Sequence, residues 1–153
     1  MTVRARSWKQ KDPLYRGDAA AAVAVPVPGA NPSIVRHILY LEGAGRETPY
    51  LSASESLETA ERFAGNGGRV WSTTTAAARK RGVTHVGHTE LLVLLNGKGK
   101  GKAKWSSAFE VQQARRYVEQ HLEHLLDFSG HTTLTTAELE AFLVQLFQQE
   151  SLA

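Results

Sequence analysis

The spacing of apolar residues divides the chain into a front part of short alternating elements and a back part of longer helices. Leu14–Tyr15 predicts a short strand ending in Arg16-Gly17-Asp18, where glycine permits a sharp turn. Residues 19–32 are low in complexity, carry Pro26, Pro28 and Pro32, and predict an irregular crossing. Ile34 to Leu41 suits one helix or one strand, closed by Gly43 and Gly45. Thr48 to Ser52 has strand chemistry. Leu57 to Ala64 is helical, with Leu57, Ala60 and Phe63–Ala64 spaced to share a face. Arg69 to Thr74 predicts a strand, and Ala76 to Arg81 a short basic helix. Val83 to Leu95 contains the strongest apolar run, Leu91-Leu92-Val93-Leu94-Leu95, bounded by Gly87 and Asn96-Gly97. That length and those flanks predict a buried strand.

Behind Gly97 the pattern lengthens. Lys98 to Lys104 alternates Lys with Gly or Ala and reads as a mobile basic loop. Ser107-Ala-Phe-Glu110 has capping-box spacing and opens a helix predicted to reach about Phe128, striped by Val111, Ala114, Val118, Leu122 and Leu125. Thr135-Thr-Ala-Glu138 is a second such box. It opens a final helix with Leu139, Phe142, Leu143, Leu146 and Phe147 on one side. No internal repeat is present. The expectation is a single α+β domain over 1–153. Its core is 13–97, its basic loop 98–104, and its helical part 105–153, with two amphipathic helices; residues 1–12 are expected to fray.

Composition narrows the class. Of 153 residues, 42% are hydrophobic, 22% charged and 8% aromatic, which are globular values and exclude wholesale disorder and a coiled coil. The chain has no cysteine, so disulfides, Cys-based zinc sites and thiol nucleophiles are excluded. The longest apolar run, Ala19 to Val25, stops at Pro26; neither a membrane span nor a secretory signal is predicted. The expected compartment is the cytoplasm, the chain's own or that of a target cell into which it is delivered. The net charge is +3, but it is unevenly spread. Residues 79–116 hold nine Lys/Arg against two acidic residues; residues 117–153 hold six acidic residues and no Lys or Arg. The basic middle suits the phosphates of a cofactor or a nucleic acid.

Three pieces carry candidate chemistry. Tyr15-Arg16-Gly17 ends a strand, Leu51-Ser52-Ala53-Ser54 leads into a helix carrying Ala60 and Phe63–Ala64, and Glu90 opens an apolar run. In this order they resemble the ADP-ribosyltransferase family, in the branch marked by arginine, Ser-x-Ser and glutamate. The likeness covers about residues 14–95. It implies a split β core around an NAD cleft, with NAD consumed as substrate and no metal. It further implies mono-ADP-ribosylation of a protein or nucleic acid by a toxin or effector of bacterial type, with a cognate immunity or antitoxin protein as a further partner.

The residue types suit that chemistry. Breaking the glycosidic bond of NAD passes through an oxocarbenium-like transition state, which a fixed carboxylate stabilises while holding the 2′-hydroxyl; Glu90 takes this role. Arg16 would clamp the pyrophosphate. Ser52 would hold Glu90 in its rotamer, and Ser54 would support the ribose or a loop. The resemblance assigns Gly17 a close approach to the nicotinamide amide. Tyr50, Phe63 and Trp71 are the candidates for stacking on the ring. Family members that modify arginine, asparagine or glutamine often carry Glu or Gln two residues before the catalytic Glu. Here His88 stands there, able to orient or deprotonate an acceptor.

Other readings compete. Arg16 would also suit an ion pair with Asp12 or Asp18, and Ser54 or Ser56 a helix cap. Glu110 rivals Glu90, although a capping role accounts for it. The pairs His85/His88 and His121/His124 lack a third ligand, so no metal site is expected. Gly97 to Lys104 lacks the phosphate-loop spacing, but Lys98, Lys100, Lys102 and Lys104 suit contact with an acidic acceptor, with Trp105 beside them for stacking. On the same site, attack by water would make an NAD glycohydrolase. A non-enzymatic nucleic-acid-binding module built on residues 79–116, or an interaction protein without turnover, would leave the site unused.

Overall fold

The structure, a computed structural model, describes residues 8–9, 11–43 and 45–150; most of the start expected to fray lies outside the described residues. The fold is α+β. Strands β1 (Pro13–Asp18), β2 (Tyr50–Ser54), β3 (Arg69–Thr74), β4 (Thr84–Val86), β5 (Glu123–Asp127) and β6 (Gln148–Gln149) form one sheet in the order β4-β5-β2-β1-β3-β6. Every recorded pairing in it is antiparallel. Helices α1 (Ile34–Ile38), α2 (Leu57–Ala64), α3 (Thr75–Lys80), α4 (His88–Leu94), α5 (Ala108–His121) and α6 (Thr136–Leu146) cover it. None of the helices described is long and apolar enough to cross a membrane.

Strand alternation gives the sheet two packed sides. Tyr50 and Leu125 join Ile34, Val35 and Ile38 of α1, Leu91 of α4, and Val111, Ala114 and Val118 of α5. Their neighbours Leu51 and Leu126 pack instead with Trp71, Phe128 and the α6 residues Leu139, Leu143 and Leu146. A third, smaller cluster sets Ala60 and Ala64 of α2 on Val70 of β3 and Tyr15 of β1. That contact depends on Gly17, because a Cβ there would overlap the Ala60 carbonyl oxygen.

The strands are not joined evenly. Six residue pairs register β1 with β3 and five register β2 with β5, whereas β1 meets β2 at the single pair Tyr15↔Ser54. The sheet is open along this seam.

Local chemistry explains the helix ends. Ser56 caps α2 by accepting the Thr59 N–H, and Gly65, at φ +63°, stops it. Thr135 and Glu138 close both bonds of their capping box on α6. At α5 only half of the expected box forms. Ser107 accepts the Glu110 N–H at 3.2 Å, but the Glu110 carboxylate accepts from Trp105 Nε1 at 2.9 Å.

Two expected elements differ. The strand expected over 83–95 stops at Val86, and residues 88–94 are the helix α4. Leu91 and Leu95, one turn apart, enter the core while Val93 is 57% exposed; five consecutive apolar residues carry no period of their own, and packing chose the helical one. The helix expected to reach Phe128 ends at His121. Leu122 turns left-handed at φ +46°, and the next five residues become a strand buried at every position. Ile34 to Leu41 resolves as the short helix α1.

Candidate functional site

A cavity of about 440 Å³ lies at the open seam. Its walls come from β1, β2, the segment 24–27, the loop 45–48, the ends of α1, α2 and α5, and the first residue of β5. Within it the structure brings together Arg16, Gly17, Tyr50, Ser52, Ser54 and Phe63 from the sequence-derived set.

Arg16 sits on β1, with its fork closed on the same strand's Asp18. Nε donates to Oδ2 at 2.8 Å and Nη2 to Oδ1 at 2.9 Å, the two residues sharing a strand side by the two-residue repeat. Its remaining nitrogen, Nη1, donates to the Ser52 carbonyl on β2 at 3.0 Å. The guanidinium thus ties β1 to β2 where ladder bonds are sparse.

Ser52 and Ser54 project from β2 with different partners. The Ser54 hydroxyl donates to the His121 carbonyl at 2.6 Å and accepts the Ser56 N–H at 2.9 Å, so it pins the end of α5 to the start of α2. Ser52 Oγ lies 2.8 Å from His37 Nε2, and Ser52 lines the cavity together with Glu123. Gly17 lines the cavity through its backbone; the side on which a Cβ would stand belongs to α2.

The carboxylate of this cavity is Glu123. It is 3% exposed at the head of β5, directly opposite Ser54. Burial pushes its carboxyl up to about 8, against the opposing pull of Arg46, Arg16 and the Ser52 hydroxyl. Its Oε2 is buried without a hydrogen-bond partner. Beside it, His121 directs Nδ1–H to the Tyr117 carbonyl at 2.8 Å, which leaves Nε2 as the lone-pair nitrogen of the neutral ring. The imidazole rests between Tyr117 and Phe63, at centroid distances of 4.1 and 5.2 Å. Across the cavity, Arg46 lies 4.2 Å above the Tyr40 ring and donates to the His37 carbonyl at 2.7 Å. Burial first, then the charges of Arg46, Arg16 and Arg36, hold the His37 imidazole well below its ordinary range, so it is neutral.

Several expected residues lie elsewhere. Glu90 is exposed in the first turn of α4, away from the cavity, because the segment that was to deliver it as a strand is a helix. His88 also misses the cavity; its Nδ1 donates to the Glu123 carbonyl at 3.3 Å, taking over where β4 has ended. Trp71 packs beneath α6, on the far side of the sheet from the Tyr50 cluster. Glu110 belongs to Trp105. Lys98, Lys100, Lys102 and Lys104 are exposed near the start of α5, and Lys102 pairs with Asp127 at 3.1 Å. His121 and His124 part company. His124 sits between Glu55 and His85, at 2.8 Å from each. Among the described residues no group of three or more His, Asp or Glu is placed to hold a metal.

The residues that sequence reasoning missed are His37, Arg46, Tyr117, His121 and Glu123. One signal for the last was present: the chain contains His-x-Glu twice, at His88-Thr89-Glu90, followed by Leu91-Leu92, and at His121-Leu122-Glu123, followed by His124 and then Leu125-Leu126. Comparison of this chain with family models, with curated proteins and with solved structures finds no match.

Proposed function

We propose that this chain transfers ADP-ribose from NAD to a macromolecular acceptor, with Glu123 in the role that the sequence pattern suggested for Glu90. One observation carries the reading: a buried carboxyl with an unpartnered oxygen shares a seam cavity with Arg16 and Ser52. The open seam between β1 and β2 is also what a split β core of the ADP-ribosyltransferase type would require.

In the reaction proposed, the ribose 2′-hydroxyl donates to the Glu123 carboxylate, which faces the positive charge that develops at C1′. The bond from C1′ to the nicotinamide nitrogen breaks, and nicotinamide leaves with the electron pair. The acceptor's nucleophile then bonds to C1′, and its proton passes to His121 Nε2. His121 stands two residues before Glu123, in the position where family members read the acceptor. Phe63, 42% exposed at the cavity, supplies an apolar face for the nicotinamide ring. Arg16 contributes positive charge from a guanidinium already paired with Asp18, so a pyrophosphate would engage it in competition with that carboxylate.

The test is incubation with NAD labelled in its ADP-ribose moiety, together with a cell lysate, with nicotinamide release followed in parallel. Label on a macromolecule that protease or nuclease removes supports transfer and identifies the acceptor class. Nicotinamide release without a labelled macromolecule makes the chain an NAD glycohydrolase. Neither release nor label, from a folded protein, refutes the reading. The basic stretch 79–116 as a nucleic-acid contact would then be the reading to pursue.

A further inference from the structure

The basic loop 98–104, expected from its composition to be mobile, is pinned at both ends. The Lys100 N–H donates to the Leu94 carbonyl at 2.9 Å, and the Trp105 N–H donates to the Lys98 carbonyl at 2.8 Å. Between these bonds Gly101–Ala103 makes a short 3₁₀ turn, with Ala103 fully buried. Gly99, at φ +80°, has no room for a side chain, because a Cβ there would overlap the Ala103 carbonyl oxygen. Arg115 Nη1 donates to the Leu92 and Leu95 carbonyls and so fastens α5 to the end of α4. Lys102 pairs with Asp127, while Lys98, Lys100 and Lys104 stand exposed on this fixed backbone. Like charges held together on one loop repel, and a polyanion relieves that repulsion.

An aromatic ring stands at the same end of α5. Phe109, the second residue of the helix, is 67% exposed. Trp105, the ring expected to stack, is half-buried and donates through Nε1 to Glu110. At helical spacing Phe109 begins an exposed stripe with Gln113, Arg116 and Gln120 that carries no acidic residue; Glu119 stands on the adjoining face. From Phe109 to His121, at the seam cavity, the helix rises about 18 Å.

We propose that the loop 98–104 and this stripe of α5 bind single-stranded nucleic acid, with the lysines and Arg116 on phosphates and Phe109 stacked on a base. Charge alone would serve an acidic protein equally well. The exposed ring decides between them, because every base of a single strand offers a π-face and acidic side chains offer none. A duplex hides those faces between neighbouring pairs. Residues 117–153 hold six acidic residues and no Lys or Arg, which confines a polyanion to this end of the chain. A strand laid along the stripe arrives at the cavity as the acceptor; that step rests on the transfer reading above, and the binding does not.

Fluorescence anisotropy with a labelled oligothymidylate of about 12 nucleotides tests the binding. Log K should fall linearly with log[salt]. Lys98→Gln, Lys100→Gln and Lys104→Gln together should flatten the slope by about 2, three phosphate contacts at about 0.7 each. Phe109→Ala should weaken binding about tenfold at every salt concentration with the slope unchanged, and Phe109→Trp should restore it. On a duplex of the same length Phe109→Ala should have no effect. Melting temperatures confirm that each variant is folded. No binding at low salt, or a strand affinity that neither variant alters, overturns the proposal. A loss confined to the lysines, with Phe109→Ala silent, also overturns it, since any polyanion would then suffice. A labelled oligoglutamate of equal charge that binds as tightly, and loses as much in Phe109→Ala, overturns it in favour of an acidic protein partner. A chain that binds the strand as described but releases no nicotinamide fails the transfer reading alone.

Discussion

Replacing Glu123 by glutamine should make the protein more stable, and increasingly so as pH rises. The native carboxyl titrates at about 8 because it is buried, whereas in the unfolded chain it returns to the ordinary 4.5. Between those values the folded state holds a proton that the unfolded state has released. Stability therefore falls as pH rises through the interval and levels off above 8. Below 4.5 both states are protonated and the residue contributes no slope. The interval spans 3.5 pH units, a ceiling of about 5 kcal/mol at 1.36 kcal/mol each. Water entering the cavity as the carboxylate forms will reduce it. Glutamine has nearly the same shape and does not ionise. Any constant penalty from its amide is the same at every pH, and the other titrating groups cancel in the difference between the two proteins. Thermal melts of wild type and Glu123→Gln at intervals from pH 4 to 9 should give a Tm gap that opens with pH. At about 2–4 °C per kcal/mol for a chain of this size, the gap reaches about 10–20 °C if the ceiling holds. A gap that stays flat refutes the reasoning. A wild type that gains on the variant at pH 9 refutes it more strongly, since Glu123 would then be ionised and paired in the free protein.

Other perturbations test the geometry around it. Gly17→Ala places a Cβ into the Ala60 carbonyl and should lose about 1–3 kcal/mol or more in urea unfolding; a wild-type midpoint would mean that α2 does not pack on β1 as described. Ser54→Ala strips the donor from the His121 carbonyl and the acceptor from the Ser56 N–H, and should cost about 1–3 kcal/mol by the same measurement. If the enzyme reading holds, Glu123→Gln should lower kcat for nicotinamide release by about 10²–10³-fold. Glu90→Gln, on the exposed turn of α4, should leave it unchanged; the reverse ranking would return the carboxylate role to Glu90. Glutamine at Lys98, Lys100 and Lys104 together should leave nicotinamide release unchanged in the same assay, because the loop lies outside the cavity.

Much of the front half was legible because its elements carry their own punctuation. Arg69 to Thr74 and Leu57 to Ala64 have the expected bounds, one an alternating β-rich segment and the other closed by a serine cap and a left-handed glycine. The serine pair and Arg16 do meet in one cavity. The expected carboxylate, Glu90, lies outside that cavity and Glu123 lines it, and the cause is specific. Leu122, Leu125 and Leu126 continue the stripe of α5 at helical spacing, so apolar period alone carries the helix straight through the break. The break is a single left-handed residue, Leu122, and a leucine gives no sign of it. Once residues 123–127 are drawn as helix, Glu123 becomes one more polar position on it and Glu90 is the remaining glutamate before an apolar run. His37 was invisible for another reason. Its partners Thr48, Arg46 and Ser52 contact it from 9 to 15 residues away, and no local pattern links them.

The seam explains why these features occur together. A sheet closed by a full ladder between β1 and β2 would leave no cavity between them; opening it withdraws ladder bonds and requires another tie. Arg16 supplies that tie by donating to the Ser52 carbonyl from a neighbouring strand, and so brings a permanent cation into the gap. Asp18 neutralises much of that charge through its bidentate contact. What Glu123 experiences is then a contest: burial drives its proton affinity up, while the residual fields of Arg46 and Arg16 and one hydroxyl drive it down. Either influence alone would hold the carboxyl firmly protonated or firmly ionised near neutral pH. Their opposition leaves it at about 8, within reach of the charge of a bound ligand. The positively charged nicotinamide ring of NAD would supply such a charge, expelling the proton as it binds and creating the carboxylate at the moment the glycosidic bond is positioned to break.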